Sequence, residues 1–108
     1  MTVEGVAAAV TTGDLVSREL DDDAVGVWKI AWHLRRALPS VTATEMHELA
    51  EGVLRGLQPS GVSVGELDDL GAFQEWDRVN GISEVMARWR KLGRDPNIGE
   101  VAWLVRRR

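Results

Sequence analysis

The stretch "KLGRDPNIGEVAWL", residues 91–104, contains the end of a helix, a turn and a strand with no linker between them. Lys91 and Leu92 end a predicted helix, and Gly93 suits the left-handed position that follows a helix C-terminus. Pro96 prevents the helix from continuing. The alternation after it predicts a strand over residues 98–105, in which Trp103 belongs to the buried face. Each of these residues therefore has a structural role that requires no ligand.

The helix that leads into this stretch is predicted over roughly residues 80–92. Its apolar positions recur at helical spacing and predict a buried stripe that includes Trp89. Glu84 and Arg88 are four residues apart, which allows an ion pair on the exposed face. Arg90, Lys91 and Arg94 then form, with Arg88, a basic cluster on and after this helix.

Two further helices are predicted in the first half of the chain. The first covers "DDDAVGVWKIAWHLRRAL", residues 21–38, where the acidic triplet favours the N-terminus and Pro39 ends the helix. The second begins at Thr42, because Thr42 and Glu45 form a capping-box pattern. Val41 and Met46 are spaced for a hydrophobic staple beside that cap.

The remaining segments complete the predicted fold. Val62 and Val64 alternate with small residues and predict a short strand, whereas residues 68–76 are predicted to be a loop anchored by Phe73 and Trp76. The fold class is therefore α+β: three main helices with a small two-stranded antiparallel sheet, in the order ααβαβ and winged-helix-like. Residues 1–13 are expected to be a loosely ordered N-terminal segment, and residues 14–108 a single compact domain.

Composition restricts the class of protein. The 108 residues carry a net charge of −4, 44% hydrophobic residues and no cysteine. This excludes a disulfide framework and a thiolate metal site, and no apolar run is long enough to span a bilayer. We expect a cytoplasmic protein. Residues 1–75 carry 13 acidic and 5 basic side chains, whereas residues 76–108 carry 4 acidic and 8 basic ones, so the basic end could meet an anionic partner.

Catalytic and metal-binding patterns are not found in this sequence. His33 and His47 lie on different predicted helices without the spacing of a zinc site, and we interpret both as surface histidines. The chain has no phosphate-binding glycine loop and no nucleophile elbow. We therefore expect a non-enzymatic protein with no catalytic residues, no cofactor and no metal.

The residues expected to meet a partner are two tryptophans and the basic cluster. Trp28 and Trp32 lie beside the main apolar stripe of the first predicted helix, so either the sheet covers them or they form an apolar face for a partner. Coverage is the favoured interpretation. The candidate partner surface consists of Trp28, Trp32, Arg88, Arg90, Lys91 and Arg94.

The leading prediction is a protein–protein interaction module, because five tryptophans are many for this length and tryptophan is enriched in binding hot spots. The alternative is a nucleic-acid-binding, winged-helix-like regulator that uses the basic face of the third predicted helix. A pI near 5.1 argues against the alternative. The oligomeric state and the identity of the partner stay open.

Three segments together carry a resemblance to known proteins. "VGVWKIAWHLR", "GVSVGELDDLGAFQEW" and a closing pattern LGRxPNxGxxxWL resemble a group of short uncharacterised bacterial proteins. Arg88 departs from the group, where an acidic residue is expected before Trp89. The resemblance covers residues 23–104 and implies a winged-helix-like fold. It implies no activity, because the group has none assigned.

Overall fold

A computed structural model describes residues 2–107, which form four α-helices and one four-stranded antiparallel sheet in a mixed α+β fold. The elements follow one another along the chain as α1 (Val3–Glu19), β1 (Val25–Gly26), α2 (Trp28–Ala37), α3 (Ala43–Leu57), a 3₁₀ turn (Gln58–Ser60), β2 (Val62–Leu67), β3 (Phe73–Glu75), α4 (Gly81–Leu92) and β4 (Trp103–Arg106).

The sheet has the strand order β1-β4-β2-β3, so the last strand in the chain lies inside the sheet. In one row across the sheet, Leu104 pairs with Val25 on one side and with Val64 on the other. All three side chains are buried. Because side chains alternate along a strand, this row faces the helices, and the neighbouring row that contains Trp103 faces away from them.

The core lies between the sheet and the helices. α1 packs on α2 and α3, and α4 packs on α3 and β2. The largest fully buried side chain is that of Trp89 on α4, as predicted. The buried residues on and just before α2 repeat at helical spacing and are Val27, Ile30, Ala31 and Leu34.

Local capping signals are confirmed at two helix ends. The hydroxyl of Thr42 accepts a hydrogen bond from the Glu45 amide, and the Glu45 carboxylate accepts one from the Thr42 amide. Gly93 follows α4 with φ of 75°. This is the left-handed conformation that favours glycine at the end of a helix.

The number and order of elements differ from the prediction of three helices and two strands. Residues 3–13, expected to be loosely ordered, lie in α1, where the Thr2 hydroxyl caps the Gly5 amide. The buried positions of α1 are Gly5, Ala8, Thr12 and Val16. These buried positions recur at helical spacing, but most of them are occupied by small residues. They give a weak hydrophobic signal while they allow close approach of neighbouring helices.

The prediction that the first of the three helices begins at residue 21 is also wrong. Residues 25–26 pair with β4 instead of joining the helix, and α2 begins only at Trp28. The acidic triplet 21–23 therefore lies in the turn after α1, where the Asp23 carboxylate accepts from the Ala24 amide. Strand pairing with a distant segment outweighs the local preference for helix here.

The closing strand exposes the face that was predicted to be buried. Ala102 and Leu104 are buried, whereas Trp103 and Val105 are only half-buried on the outer face. β4 begins at Trp103 rather than at residue 98, because the chain before it turns: Gly99 and Val101 have φ of 82° and 73°. Such a value is rare for a β-branched residue such as valine. The tight turn at Val101 brings the Ala102 carbonyl to its hydrogen bond with the Val27 amide.

Candidate functional site

Three tryptophans and one isoleucine lie around the turn that precedes β4. Trp32 is 44% exposed and Ile98 is 72% exposed, while Trp28 and Trp103 are half-buried. The favoured prediction that the sheet covers Trp28 and Trp32 is therefore wrong for Trp32. We refer to Trp28, Trp32, Ile98 and Trp103 as the tryptophan surface.

Two neighbouring grooves run along the tryptophan surface. One has a volume of about 340 Å³ and contains Trp28, Trp32 and Ile98 in its walls. The other has a volume of about 400 Å³ and contains Trp28, Ile98 and Trp103. Trp28 and Ile98 line both grooves, so the four apolar side chains form one continuous region.

The position of the Trp28 ring depends on the absence of a side chain at Gly26. A Cβ atom at residue 26 would lie 2.4 Å from Cδ1 and 2.7 Å from Nε1 of Trp28. Such distances are far shorter than any real carbon contact, so only glycine allows the indole to lie against the backbone of β1. The Trp28 ring therefore lies directly against the edge strand.

Trp103 lies in the row of the sheet that faces away from the helices. Its cross-strand partners are Gly26 in β1 and Gly65 in β2. Because paired residues share a face, Trp103 has no side chain directly beside it on either strand. At Gly65 a Cβ would lie 2.1 Å from the Gln74 carbonyl oxygen, so a larger residue is not accommodated there.

Basic side chains of α2 lie over the exposed rings. The Arg36 guanidinium is 4.6 Å from the Trp32 ring centroid, and Lys29 Nζ is 5.5 Å from that of Trp28 and 5.6 Å from that of Trp32. These distances are within the range of cation–π attraction. The rings therefore already attract cations within the chain.

The loop before β4 is fixed by two arginine–carboxylate contacts. Arg35 on α2 donates to both oxygens of Asp95, each at 3.2 Å, and also to the Val41 carbonyl. Arg94 donates to both carboxylate oxygens of Glu100 at 2.7 and 2.9 Å. These contacts connect the loop to α2 and close it on itself, so Ile98 is presented from a tethered segment.

Glu100 titrates well below its ordinary range. The hydrogen bond from Arg94 and the bond from the Asn97 amide lower the pKa of Glu100 to about 2. The same contact raises the pKa of the Arg94 guanidinium. The pair is charged at neutral pH, and Arg94 is engaged inside the loop rather than free for a partner.

The basic residues of the candidate partner surface do not form one cationic patch. Arg88 donates to Glu84 and Glu66, and its guanidinium stacks on Trp76 at 4.3 Å from the ring centroid. These hydrogen bonds raise the pKa of Arg88. Arg90 lies 4.0 Å from a Glu51 oxygen.

Lys91 is exposed at the end of α4 and has no ion pair among residues 2–107. Among the basic residues near the C-terminus, Arg106 donates to the Ser17 carbonyl and to Asp21. Arg107 pairs with Glu75. Arg108 lies outside the described residues.

Both histidines make contacts that a free surface histidine would lack. His33 Nε2 lies 3.2 Å from a Glu19 oxygen, and its ring meets Trp32 edge-on. His47 meets the buried Trp89 edge-on, with 5.6 Å between the ring centroids. Partial burial lowers the pKa of His47, and the nearby charge of Arg90 lowers it further while Asp95 opposes the change.

Residues 2–107 contain no group of three or more histidine, aspartate or glutamate side chains placed to hold a metal ion. Over the same residues, every helix is too short or too polar to cross a bilayer. Comparison with protein-family models, with curated proteins and with solved structures gives no significant match. The resemblance to short bacterial proteins therefore stays a prediction.

Sequence reasoning identified Trp28 and Trp32 but missed Ile98, Trp103 and Gly26. Ile98 was assigned to a strand and Trp103 to the buried face of that strand. The glycine that follows Ile98 could have indicated a turn instead of a strand, because the sequence Asn97-Ile98-Gly99 can place an apolar side chain at the surface of a turn. Nothing local revealed that Gly26 lies under Trp28, since that contact requires β1 to pair with β4.

Proposed function

We propose that this chain is a small cytoplasmic, non-enzymatic module that binds another protein through the tryptophan surface. The observation that carries the proposal is the joint exposure of Trp32 and Ile98, at 44% and 72%, beside the half-buried rings of Trp28 and Trp103. A continuous exposed region of large apolar side chains at concave grooves is typical of a binding surface.

The rigidity of the surface supports the same function. Arg35 and Arg94 tether the loop that carries Ile98, and Gly26 lets Trp28 lie against the sheet. A surface that is already ordered loses little conformational entropy when it binds, so more of the interaction energy appears as affinity. Tryptophan adds large contact area with few rotatable bonds.

A protein partner is favoured over nucleic acid by the pairing of the basic side chains. Arg88 and Arg94 each donate two hydrogen bonds to carboxylates, and Arg106 is anchored at Asp21. Phosphate binding would have to break these pairs, and affinity for nucleic acid depends mainly on free basic side chains.

We also propose that the fold is winged-helix-like. The helix pair α2–α3 and the following hairpin β2–β3 support this part of the proposal.

The test is a selection of random peptides displayed on phage against the immobilised wild-type chain. We expect selected peptides whose binding falls at least about tenfold in a Trp32→Ala/Ile98→Ser variant, since each anchor of a small interface contributes roughly 1–2 kcal/mol. Leu70→Ser is the matched control, because Leu70 is an apolar residue 94% exposed in the β2–β3 turn. Peptides that bind both variants equally, or a selection that enriches none, would contradict the proposal.

A further inference from the structure

The groove between Trp28 and Trp103 differs from its neighbour in charge. Besides the two tryptophans and Ile98, the residues that line it include the acidic residues Glu19, Asp22 and Asp23. Among residues 2–107, the one basic residue in the walls is Lys29. Three carboxylates against one ammonium leave the groove residues with a net charge of −2, next to apolar aromatic walls.

Within the described part of the chain, the residues that line the neighbouring groove between Trp28 and Trp32 show no such excess of negative charge. Its charged wall residues are Arg35 and Asp95, which pair with each other. The acidic character therefore belongs to one side of the tryptophan surface, where the turn after α1 meets β1. Asp22 and Asp23 are exposed there, and both residues line the groove.

The ammonium group of Lys29 shows that a cation is attracted to the residues that line the groove between Trp28 and Trp103. Its ammonium group lies 3.4 Å from a Glu19 oxygen and 5.5 Å from the centroid of the Trp28 ring. One cation thus contacts both an aromatic ring and a carboxylate at the border of the groove. Asp22 and Asp23 provide further negative charge that Lys29, held at Glu19, does not neutralise.

We propose that the groove between Trp28 and Trp103 binds a cationic side chain, arginine or lysine, of the partner protein. The inference rests on the proposed function and specifies the chemistry of the partner. The cation is attracted by the π face of an indole ring and by the carboxylates of Asp22 and Asp23. Its aliphatic stem packs on the apolar walls, as long basic side chains do elsewhere.

A direct test uses two small probes of nearly the same shape, of which only the first carries a positive charge on its side chain. We titrate the ¹⁵N-labelled chain with Nα-acetyl-arginine methylamide or with Nα-acetyl-citrulline methylamide, and follow the indole N–H signals of the five tryptophans by NMR. Trp28→Phe and Trp103→Phe variants assign the two signals of interest. We expect the arginine probe to shift the Trp28 and Trp103 signals saturably, and the citrulline probe to bind at least about threefold more weakly.

The carboxylates are tested with a matched pair of variants. Asp22→Asn/Asp23→Asn is expected to weaken binding of the arginine probe about threefold to fivefold, as expected for exposed charge interactions. Glu48→Gln/Asp69→Asn changes the net charge equally at positions outside this groove and should leave the affinity unchanged. Equal binding of both probes, no saturable shift, or equal loss in both double variants would overturn the proposal.

The two experiments together distinguish failure of the cationic site from failure of the proposed interaction function. If the phage-selected peptides require Trp32 and Ile98 but contain no arginine or lysine that depends on Asp22 and Asp23, the interaction function stands and the cationic site is wrong. If no selected peptide depends on the tryptophan surface, the interaction function itself is wrong, whatever the small probes do.

Discussion

Trp28 lies so close to Gly26 that a Cβ atom at residue 26 would be 2.4 Å from Cδ1 of its ring. We therefore expect Gly26→Ala to rotate the Trp28 indole away from β1. Because the ring is half-buried and can move toward solvent, the loss of stability should be about 1 kcal/mol, at the low end for an overpacked site. Urea unfolding measures the stability, and the indole N–H signal reports the ring.

The control for this substitution is Gly52→Ala. Gly52 lies inside α3, and a methyl group added there would meet no atom within 4 Å among residues 2–107, apart from its chain neighbours and the adjacent backbone of its own helix. Alanine at this position should therefore stabilise the helix by roughly 0.5–1 kcal/mol. An unchanged Trp28 signal in Gly26→Ala would show that the close contact does not hold the ring.

The pairing of Arg94 with Glu100 predicts a specific acid titration. The pKa of Glu100 is lowered from 4.5 to about 2 by Arg94 and by the Asn97 amide. Because the folded-state pKa lies below the unfolded one, this pair stabilises the fold above pH 4.5, and the stabilisation is lost as pH falls toward 2. Arg94→Gln should return the pKa of Glu100 toward its ordinary value, measured by NMR of its side-chain carboxyl carbon.

Arg88→Gln is the matched control for the acid titration, since it removes a different paired arginine. It should leave the pKa of Glu100 unchanged, because Arg88 pairs with Glu84 and Glu66 instead. A Glu100 titration that does not respond to Arg94→Gln would contradict the assigned cause.

The lowered pKa of His47 leads us to expect a second effect of pH on stability, in which the titrating group is an imidazole rather than a carboxyl group. Partial burial and the charge of Arg90 lower its pKa below 6.5. The unfolded chain therefore takes up this proton more readily, and the contribution of His47 to stability is lost as pH falls from 6.5 through the lowered value. We expect Arg90→Gln to raise the pKa of His47, measured from its ring proton shifts. Lys91→Gln serves as the comparison, and an equal shift in both variants would argue against a specific role of Arg90.

Trp89 and Trp32 should differ sharply in their contribution to stability. Trp89 is 1% exposed, so Trp89→Ala should cost about 3–5 kcal/mol through lost burial and a cavity. Trp32 is 44% exposed, and Trp32→Ala should cost no more than about 1 kcal/mol. Chemical denaturation of the two variants measures both values. A cost of several kcal/mol for Trp32 would mean that its ring is part of the core and unsuited to a partner.

The parts of the fold that could be predicted from the sequence are those that depend on residues close to one another along the chain. The capping box at Thr42, the stripe around Trp89 and the left-handed Gly93 all depend on residues within a few positions along the chain. α1 was missed because Gly5 and Ala8 pack closely without the large apolar side chains that mark a buried helix face.

The site was only partly predictable, because it depends on contacts between distant segments. Strand alternation correctly separated Trp103 from Leu104, but the inward face is decided by where the helices lie. The basic residues were grouped by their closeness in sequence. In the fold, Arg88 contacts Glu66 and Arg94 contacts Glu100, so each is neutralised by a different part of the chain.

The interior position of β4 in the sheet has a consequence for synthesis on the ribosome. Val25 pairs with Leu104, and β2 also pairs with β4, so β1 cannot join β2 and β3 until residues 103–106 have emerged from the exit tunnel. Until then the apolar edge of the unfinished sheet has no partner strand. We expect nascent chains stalled before β4 emerges to be degraded readily by protease, because long-range pairing is a late step in folding.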